Sequence, residues 1–552
     1  MQKTLLWIFL SVSFANMAQE LNVFTEQDSL RGQVTLERIW WDLQHYDLSI
    51  TIKTAPQFLW GTNTITYTVL SANQEVLQVD LQAPMRLLKA VQDEKELKIT
   101  KRGNAHFIKL LKNQIVGQQE QLVLTFSGKP KTSTNPPWDA GFTWSKDKNG
   151  LDFVATSCQG QGASVWWPCK DHMYDEPDRG VNLHYTVPEN LVAVGNGRLV
   201  GTELKPSQKS KTYHWKVTQP INNYGVHLSV GDYVHFDEKY VGEAGILDCS
   251  YYVLRENLQK AKKQFKEAKR TLEAFEYWFG PYPFYEDSYK LVEVPYLGME
   301  HQSAVTYGNG YENGYRGTDL SGTGWGLKFD FIIVHESGHE WFANNITNKD
   351  IADMWIHESF TNYAESLFLE YHYGKEAADA YVTGLREGIS NDRPIIGQYG
   401  VNSQGSTDMY FKGANMLHTI RQLFKDAQKW RALLRGMNSE FYHQTVSTAQ
   451  IENYISKTLG QDLSKIFDQY LRTTDIPVFE YRIDGNNFHY RWTNTLAEFD
   501  MPLKINHNNT KKWIQPSNAW KKIRFYEKTR DFSVDKNFYI KSKMSSVKST
   551  DD

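Results

Sequence analysis

Cysteine is scarce: Cys158, Cys169 and Cys249 are the only three in 552 residues, too few, and odd in number, for a disulfide framework. Cys158 and Cys169 are compatible with one bridge or with two buried thiols. Surplus charge of one sign is missing too, because 61 Lys and Arg stand against 64 Asp and Glu for a net charge of −3, and the two signs are interspersed. That composition lacks the basic footprint of a nucleic-acid binder, so no nucleic acid is expected as a partner. Outside Leu5–Phe14 no apolar run approaches the ~20 residues that cross a bilayer, which leaves no integral membrane segment in the mature chain. The glycine-rich loop RGTDLSGTGWGLKFD does not end in Gly-Lys-Ser/Thr, so it reads as a connection and not a phosphate loop. A repeat of fixed period is also lacking.

What is present begins with MQKTLLWIFLSVSFANMAQE. Lys3, the apolar run after it and small residues at Ala15 and Ala18 form the pattern of a cleaved signal peptide over residues 1–18, which places the mature protein in the periplasm or outside the cell. The length implies roughly three or four domains. From about residue 37 to 235, period-two runs such as YDLSITI, TNTITYTVL and QLVLTFSG alternate with turn residues and predict a β domain. The period then changes. Leu258, Ala261, Phe265, Ala268, Leu272 and Phe275 are spaced three and four apart, one buried stripe of a helix that ends at Gly280-Pro281. Helical patterns continue to about residue 475, interrupted by one strand-like piece, KLVEVPYLGMEH. The segment EYRIDGNNFHYRW predicts a hairpin across an Asp-Gly turn, and the Ser/Lys-rich tail KSKMSSVKSTDD has the composition of a disordered segment.

The chemistry lies in VHESGHEWFANNIT, residues 334–347, and HESF, residues 357–360. His335 and His339 stand four apart, about 40° from one another on a helix, so both imidazoles can reach one metal ion. A catalytic zinc site takes three protein ligands and leaves a position for water. Glu358 supplies the third if the first helix ends near Asn345–Thr347 and a second helix brings it back. Glu336, beside the first ligand, is placed to act as general base. His357 reads as a packing or capping residue. Glu365, seven residues past Glu358 on the same face, is either a carboxylate supporting a ligand imidazole or a solvated charge.

HESGH with eighteen residues before Glu358, GMEH at 298–301 and YFKGANMLH at 410–418 together resemble the M1 family of zinc aminopeptidases, across nearly the whole mature chain. The resemblance implies a multidomain α+β protein: an N-terminal β domain over 19–235, a thermolysin-like, mainly helical catalytic domain over 236–475, a small C-terminal β-sandwich over 476–543 and a disordered tail over 544–552. It implies one zinc ion per chain on His335, His339 and Glu358, and hydrolysis of the N-terminal residue from peptides with a free N-terminus, with Glu336 as base. Glu300 matches the glutamate that binds the substrate's ammonium, Gln159 the amide that helps hold it, and Gly298 and Met299 the strand beside the substrate. Tyr410 matches the tyrosine that donates to the oxyanion. His301 stands where relatives have Asn, and Glu358 sits in His-Glu-Ser where they have Asn-Glu-Gly. The large helical domain that closes over many relatives is missing, which implies a more open cleft. A thermolysin-like endopeptidase and a noncatalytic scaffold with retained fold are the alternatives; the first does not need GMEH, and the second does not need an intact set of ligands and base.

Overall fold

The computed structural model describes residues 24–424 and 426–546. The signal peptide expected over residues 1–18, and residues 547–552 of the expected tail, lie outside them. The architecture is an N-terminal β-rich domain, a helical catalytic region and a C-terminal β-rich region. The N-terminal part is built on an eight-stranded sheet in the spatial order Arg198–Lys205, Ser210–Val217, Val181–Pro188, Trp41–Thr54, Gln57–Val69, Gln119–Gly128, Arg86–Gln92, Lys95–Glu96. Along Val181–Pro188 buried and half-buried residues alternate, because successive side chains of a strand point to opposite faces and one face here is solvated. The buried face carries much of the chain's aromatic content. Trp41, Trp166, Trp167 and Trp215 are all buried, and Trp167 meets Tyr46 edge-on at 4.9 Å, a favoured geometry for two aromatic quadrupoles. All three cysteines are buried free thiols.

The catalytic region combines a mixed sheet with helices. Its strands are β1 (Tyr233–Gly242), β2 (Gly245–Leu254), β3 (Tyr289–Glu293), β4 (Gly298–Met299) and β5 (Val305–Tyr307), in the order β1-β2-β3-β5-β4. The piece expected as one strand, KLVEVPYLGMEH, is therefore two. Pro295 separates them, lacking an N–H for a sheet ladder, and the chain crosses so that β4 becomes the free edge beyond β5. The stripe beginning at Leu258 is likewise divided into α1 (Leu258–Gln264) and α2 (Lys266–Phe279). Phe265 stands at the break with its ring 5.5 Å from Tyr251 and 5.0 Å from Tyr307. Ala268, Leu272 and Phe275 remain buried along one face, and α2 stops where Gly280 takes φ +98°, a value a side chain would oppose. Three further helices matter below: α3 (Phe331–Gly338), α4 (Trp355–Tyr373) and α5 (Phe411–Leu423).

The C-terminal part comprises a four-stranded and a three-stranded sheet. Its first hairpin pairs Asp484 with Asn487, so Gly485 and Asn486 occupy the turn, one residue later than an Asp-Gly turn would place it; Gly485 has φ +58°. Lys541–Met544, part of the stretch expected to be disordered, is a strand parallel to Val478–Tyr481. Composition reflects side chains, whereas this strand is held through its main chain by the sheet edge. Among the described residues no helix is long and apolar enough to cross a membrane.

Candidate active site

Asp330 caps α3, accepting from the Ile333 amide at 3.3 Å, and it also accepts from Tyr307 Oη (2.8 Å), Gln264 Nε2 (2.8 Å) and Asn309 Nδ2 (3.0 Å). The helix that presents the histidines is thus tied to β5 and α1. It is shorter than expected: α3 ends at Gly338 with His339 as its C-cap, still in right-handed helical geometry. The chain then turns, and Ile346–Asn348 pairs in parallel with Gln444–Val446. That ladder partner lies about a hundred residues away, beyond what local periodicity can register.

His335 Nδ1 donates to Glu365 Oε1 at 2.7 Å, and His339 Nδ1 to the Phe342 carbonyl at 2.9 Å. Glu365 is itself held by Tyr381 Oη (2.7 Å) and Asn362 Nδ2 (2.9 Å). With both Nδ1 atoms engaged as donors, both Nε2 lone pairs face inward. They lie 3.8 and 3.4 Å from Glu358 Oε2, on the first turn of α4. His357 instead accepts the Asn348 amide through Nε2 at 2.9 Å.

One donor atom from each of His335, His339 and Glu358 falls within 4.8 Å of the others, and Glu358 Oε2 is buried without a hydrogen-bond partner. Two imidazole nitrogens and a carboxylate oxygen converging on one point, the last otherwise orphaned, fit a zinc ion. Burial raises the Glu358 carboxyl, but His339 and His335, when protonated at Nε2, more than reverse this and leave it well below the ordinary carboxylate range, so Glu358 is held as an anion.

Glu336 lines the same cleft, a cavity of about 280 Å³ that also includes Gln159, Gly298, Met299, Glu300 and Tyr410. Burial, opposed by His335 and reinforced by Glu300, pushes its carboxyl up to about 7, the range in which a carboxylate can both accept and return a proton. Gly298 on the β4 edge touches it: a Cβ there would lie 3.1 Å from Glu336 Oε1 and 2.6 Å from Ile332 Cγ2. Close approach of α3 is why a glycine is needed. Met299 and Glu300 are buried. Gln159, from the N-terminal region, donates through Nε2 to Glu300 Oε1 and to Glu358 Oε1, each at 2.8 Å. The ring of half-buried Tyr410, just before α5, stacks 6.1 Å from that of His335. Burial, then Glu358 and Glu300, hold its phenol well above the ordinary tyrosine range, so it is a proton donor.

A metal triad, a carboxylate beside it, and a second carboxylate bridged to the triad by an amide thus share one cleft. The family model of the peptidase family M1 domain matches residues 263–470. These residues are thus similar to a peptidase family M1 domain. Among curated relatives, Tricorn protease-interacting factor F2 of Thermoplasma volcanium is 24% identical over 388 residues, 66% of this chain and 47% of its own length. Leucyl aminopeptidase of Saccharolobus solfataricus is 21% identical over 358 residues, 60% of this chain and 42% of its own. The chain spans about half the length of the curated relatives it matches. In fold, the M1 zinc metallopeptidase from Deinococcus radiodurans has a TM-score of 0.68 at 21% identity, covering 82% of this chain and 98% of that one. A mutant of the same enzyme bound to a Tyr-Ser-Ala substrate has a TM-score of 0.67.

Other residues at and behind the cleft carry no motif. Asn344 donates to the Glu300 carbonyl at 3.0 Å, and Glu340 Oε1 accepts the Ser303 amide at 2.9 Å, tying the anchor segment to the histidine segment. Their position just past His339 was the available signal. Trp138, 55% exposed, comes from the N-terminal region to the cleft wall, and nothing in the spacing of the sequence points to it.

Proposed function

We propose that this chain is a zinc aminopeptidase, removing the N-terminal residue from peptides with a free N-terminus and using one zinc ion per chain. The observation that carries the reading is Gln159 Nε2 bonded at 2.8 Å to both Glu300 and the metal-side Glu358. This joins an acidic socket, suited to a substrate's ammonium, to the hydrolytic centre at a fixed separation. An endopeptidase has no use for such a socket. Relatives named as aminopeptidases, and a neighbour bound to Tyr-Ser-Ala, support the substrate class.

His335, His339 and Glu358 would hold the zinc, which when bound lowers the pKa of water toward 7 and polarises a peptide carbonyl. Glu300 and Gln159 bind the leading ammonium and thereby set the first peptide bond, and no later one, beside Glu336. The free edge of β4 offers main-chain groups to an extended substrate by strand addition. Glu336 takes the proton of the attacking water and passes it to the leaving amine. Tyr410 donates its hydroxyl hydrogen to the carbonyl oxygen as negative charge develops there.

The signal-peptide pattern of residues 1–18 supports a periplasmic or extracellular site of action. The decisive assay is hydrolysis of aminoacyl amides with free and N-acetylated amines, with and without a chelator. Cleavage of the free amine alone, lost on chelation and restored by zinc, is expected. Equal rates on the two substrates would remove the socket from the account.

A further inference from the structure

The turn Asn223–Gly225, from the N-terminal region, is stitched to the loop that follows Glu300. Asn196 Nδ2 donates to the Gly225 and Gln302 carbonyls, each at 2.8 Å, and Gln302 Nε2 donates to the Pro220 carbonyl at 2.8 Å. Gly225 also approaches the segment after His339, since a Cβ on it would stand 3.9 Å from Asn344 Oδ1. Tyr224 sits at the centre of this turn. It is 5% exposed, and its hydroxyl is buried with no hydrogen-bond partner among the described residues. It shares a cavity wall with Gln159. Burial, and then the Glu300 and Glu358 carboxylates beside it, hold the phenol well above the ordinary tyrosine range.

A primary ammonium carries three N–H bonds and needs three acceptors when it leaves water. The motif residues account for two. Glu300 is one, and Gln159, whose Nε2 donates to two carboxylates, retains its Oε1 as another. A phenol both donates and accepts, and a buried hydroxyl left unpaired is costly. We propose, resting on the aminopeptidase reading above, that Tyr224 completes the ammonium socket: its hydroxyl donates to Glu300 and accepts an N–H of the substrate's leading amine. The N-terminal region then contributes two of the groups that recognise a free N-terminus, and Tyr224 is a substrate-binding residue.

The test is calorimetric binding, in the base-inactive Glu336→Gln background, of an amino acid amide and of its des-amino analogue. Tyr224→Phe keeps the ring and its packing. It is expected to weaken the amine ligand about tenfold, as loss of a hydrogen bond to a charged group does, and to leave the des-amino ligand within about twofold. In a chain that also carries Glu300→Gln, the Tyr224 change should cost nothing further, because the two groups act as one unit. Equal weakening of both ligands, an unchanged amine affinity, or full additivity with Glu300→Gln would overturn the assignment. Should Tyr224→Phe not fold, Tyr224→Leu is read by the same ratio between the two ligands. If the Glu336→Gln parent itself fails to prefer the amine, the aminopeptidase reading falls, an outcome visible before Tyr224 is touched.

Discussion

A carboxylate 2.7 Å from a ligand imidazole orients the ring and makes its far nitrogen a better donor, which is what Glu365 does for His335. Glu365→Gln is therefore expected to weaken zinc binding about 10 to 100-fold, read by competition with a chromogenic chelator; an unchanged affinity would reduce Glu365 to packing. Tyr410, whose ring stacks on that of His335, is the proposed donor to the oxyanion. Its replacement by Phe should lower kcat about 100 to 1000-fold with little change in KM, whereas a change confined to KM would make it only a contact for the bound substrate. At this scale His335, His339, Glu358 and Glu336 could be read together because metal chemistry restricts which residue types serve and a helix restricts their spacing, whereas Tyr410 rested on the family resemblance alone. Trp138 and Tyr224 were not legible, since each is one aromatic among many and only the packing of the N-terminal region brings Trp138 to the cleft wall and Tyr224 to the neighbouring cavity it shares with Gln159.

Among elements, the contact between β4 and α3 governs the site. Gly298 has no room for a side chain because Ile332 and Glu336 lie against it. Gly298→Ala must push the edge strand away from α3, moving both the base and the edge that would pair with substrate. We expect stability to fall by about 1 to 3 kcal/mol and kcat/KM by at least about tenfold; a variant with the parent's melting temperature and kinetics would show that the edge is free to shift. Periodicity located most elements. It did not foresee the break at Phe265, the early end of α3 or the strand Lys541–Met544, because each depends on a partner distant in sequence: aromatic rings for the first, strand ladders for the other two.

For the whole molecule, the N-terminal and catalytic regions meet around buried charge. Glu176 is 8% exposed, accepts from Asn222 Nδ2 at 3.2 Å and lies beside Thr347 of the catalytic region. Burial, against the bonds from Thr347 and Asn222, pushes its carboxyl from 4.5 up to about 7. The folded state therefore holds this proton more tightly than the unfolded chain. Its contribution to stability is fully present below about pH 4.5 and is lost as pH rises through about 7, a difference of about 3 kcal/mol. Glu176→Gln should accordingly melt higher than the parent at pH 8, with the advantage shrinking toward pH 5. Parallel melting curves across that range would show that Glu176 titrates as it does in water.

From its own order of residues this chain determined that two imidazoles and a carboxylate could meet on neighbouring helices, with a base beside them, since those relations span a helical turn or one helix-to-helix return. It also determined the β, helical, β succession, which follows from the period of apolar residues. Only the tertiary structure decided that Gln159 reaches across 141 residues to Glu300 and 199 to Glu358, that β4 is the terminal strand of its sheet, and that Tyr224 lies beside the same carboxylates. Such contacts are set by how separate cores pack against one another, and no local spacing encodes that packing.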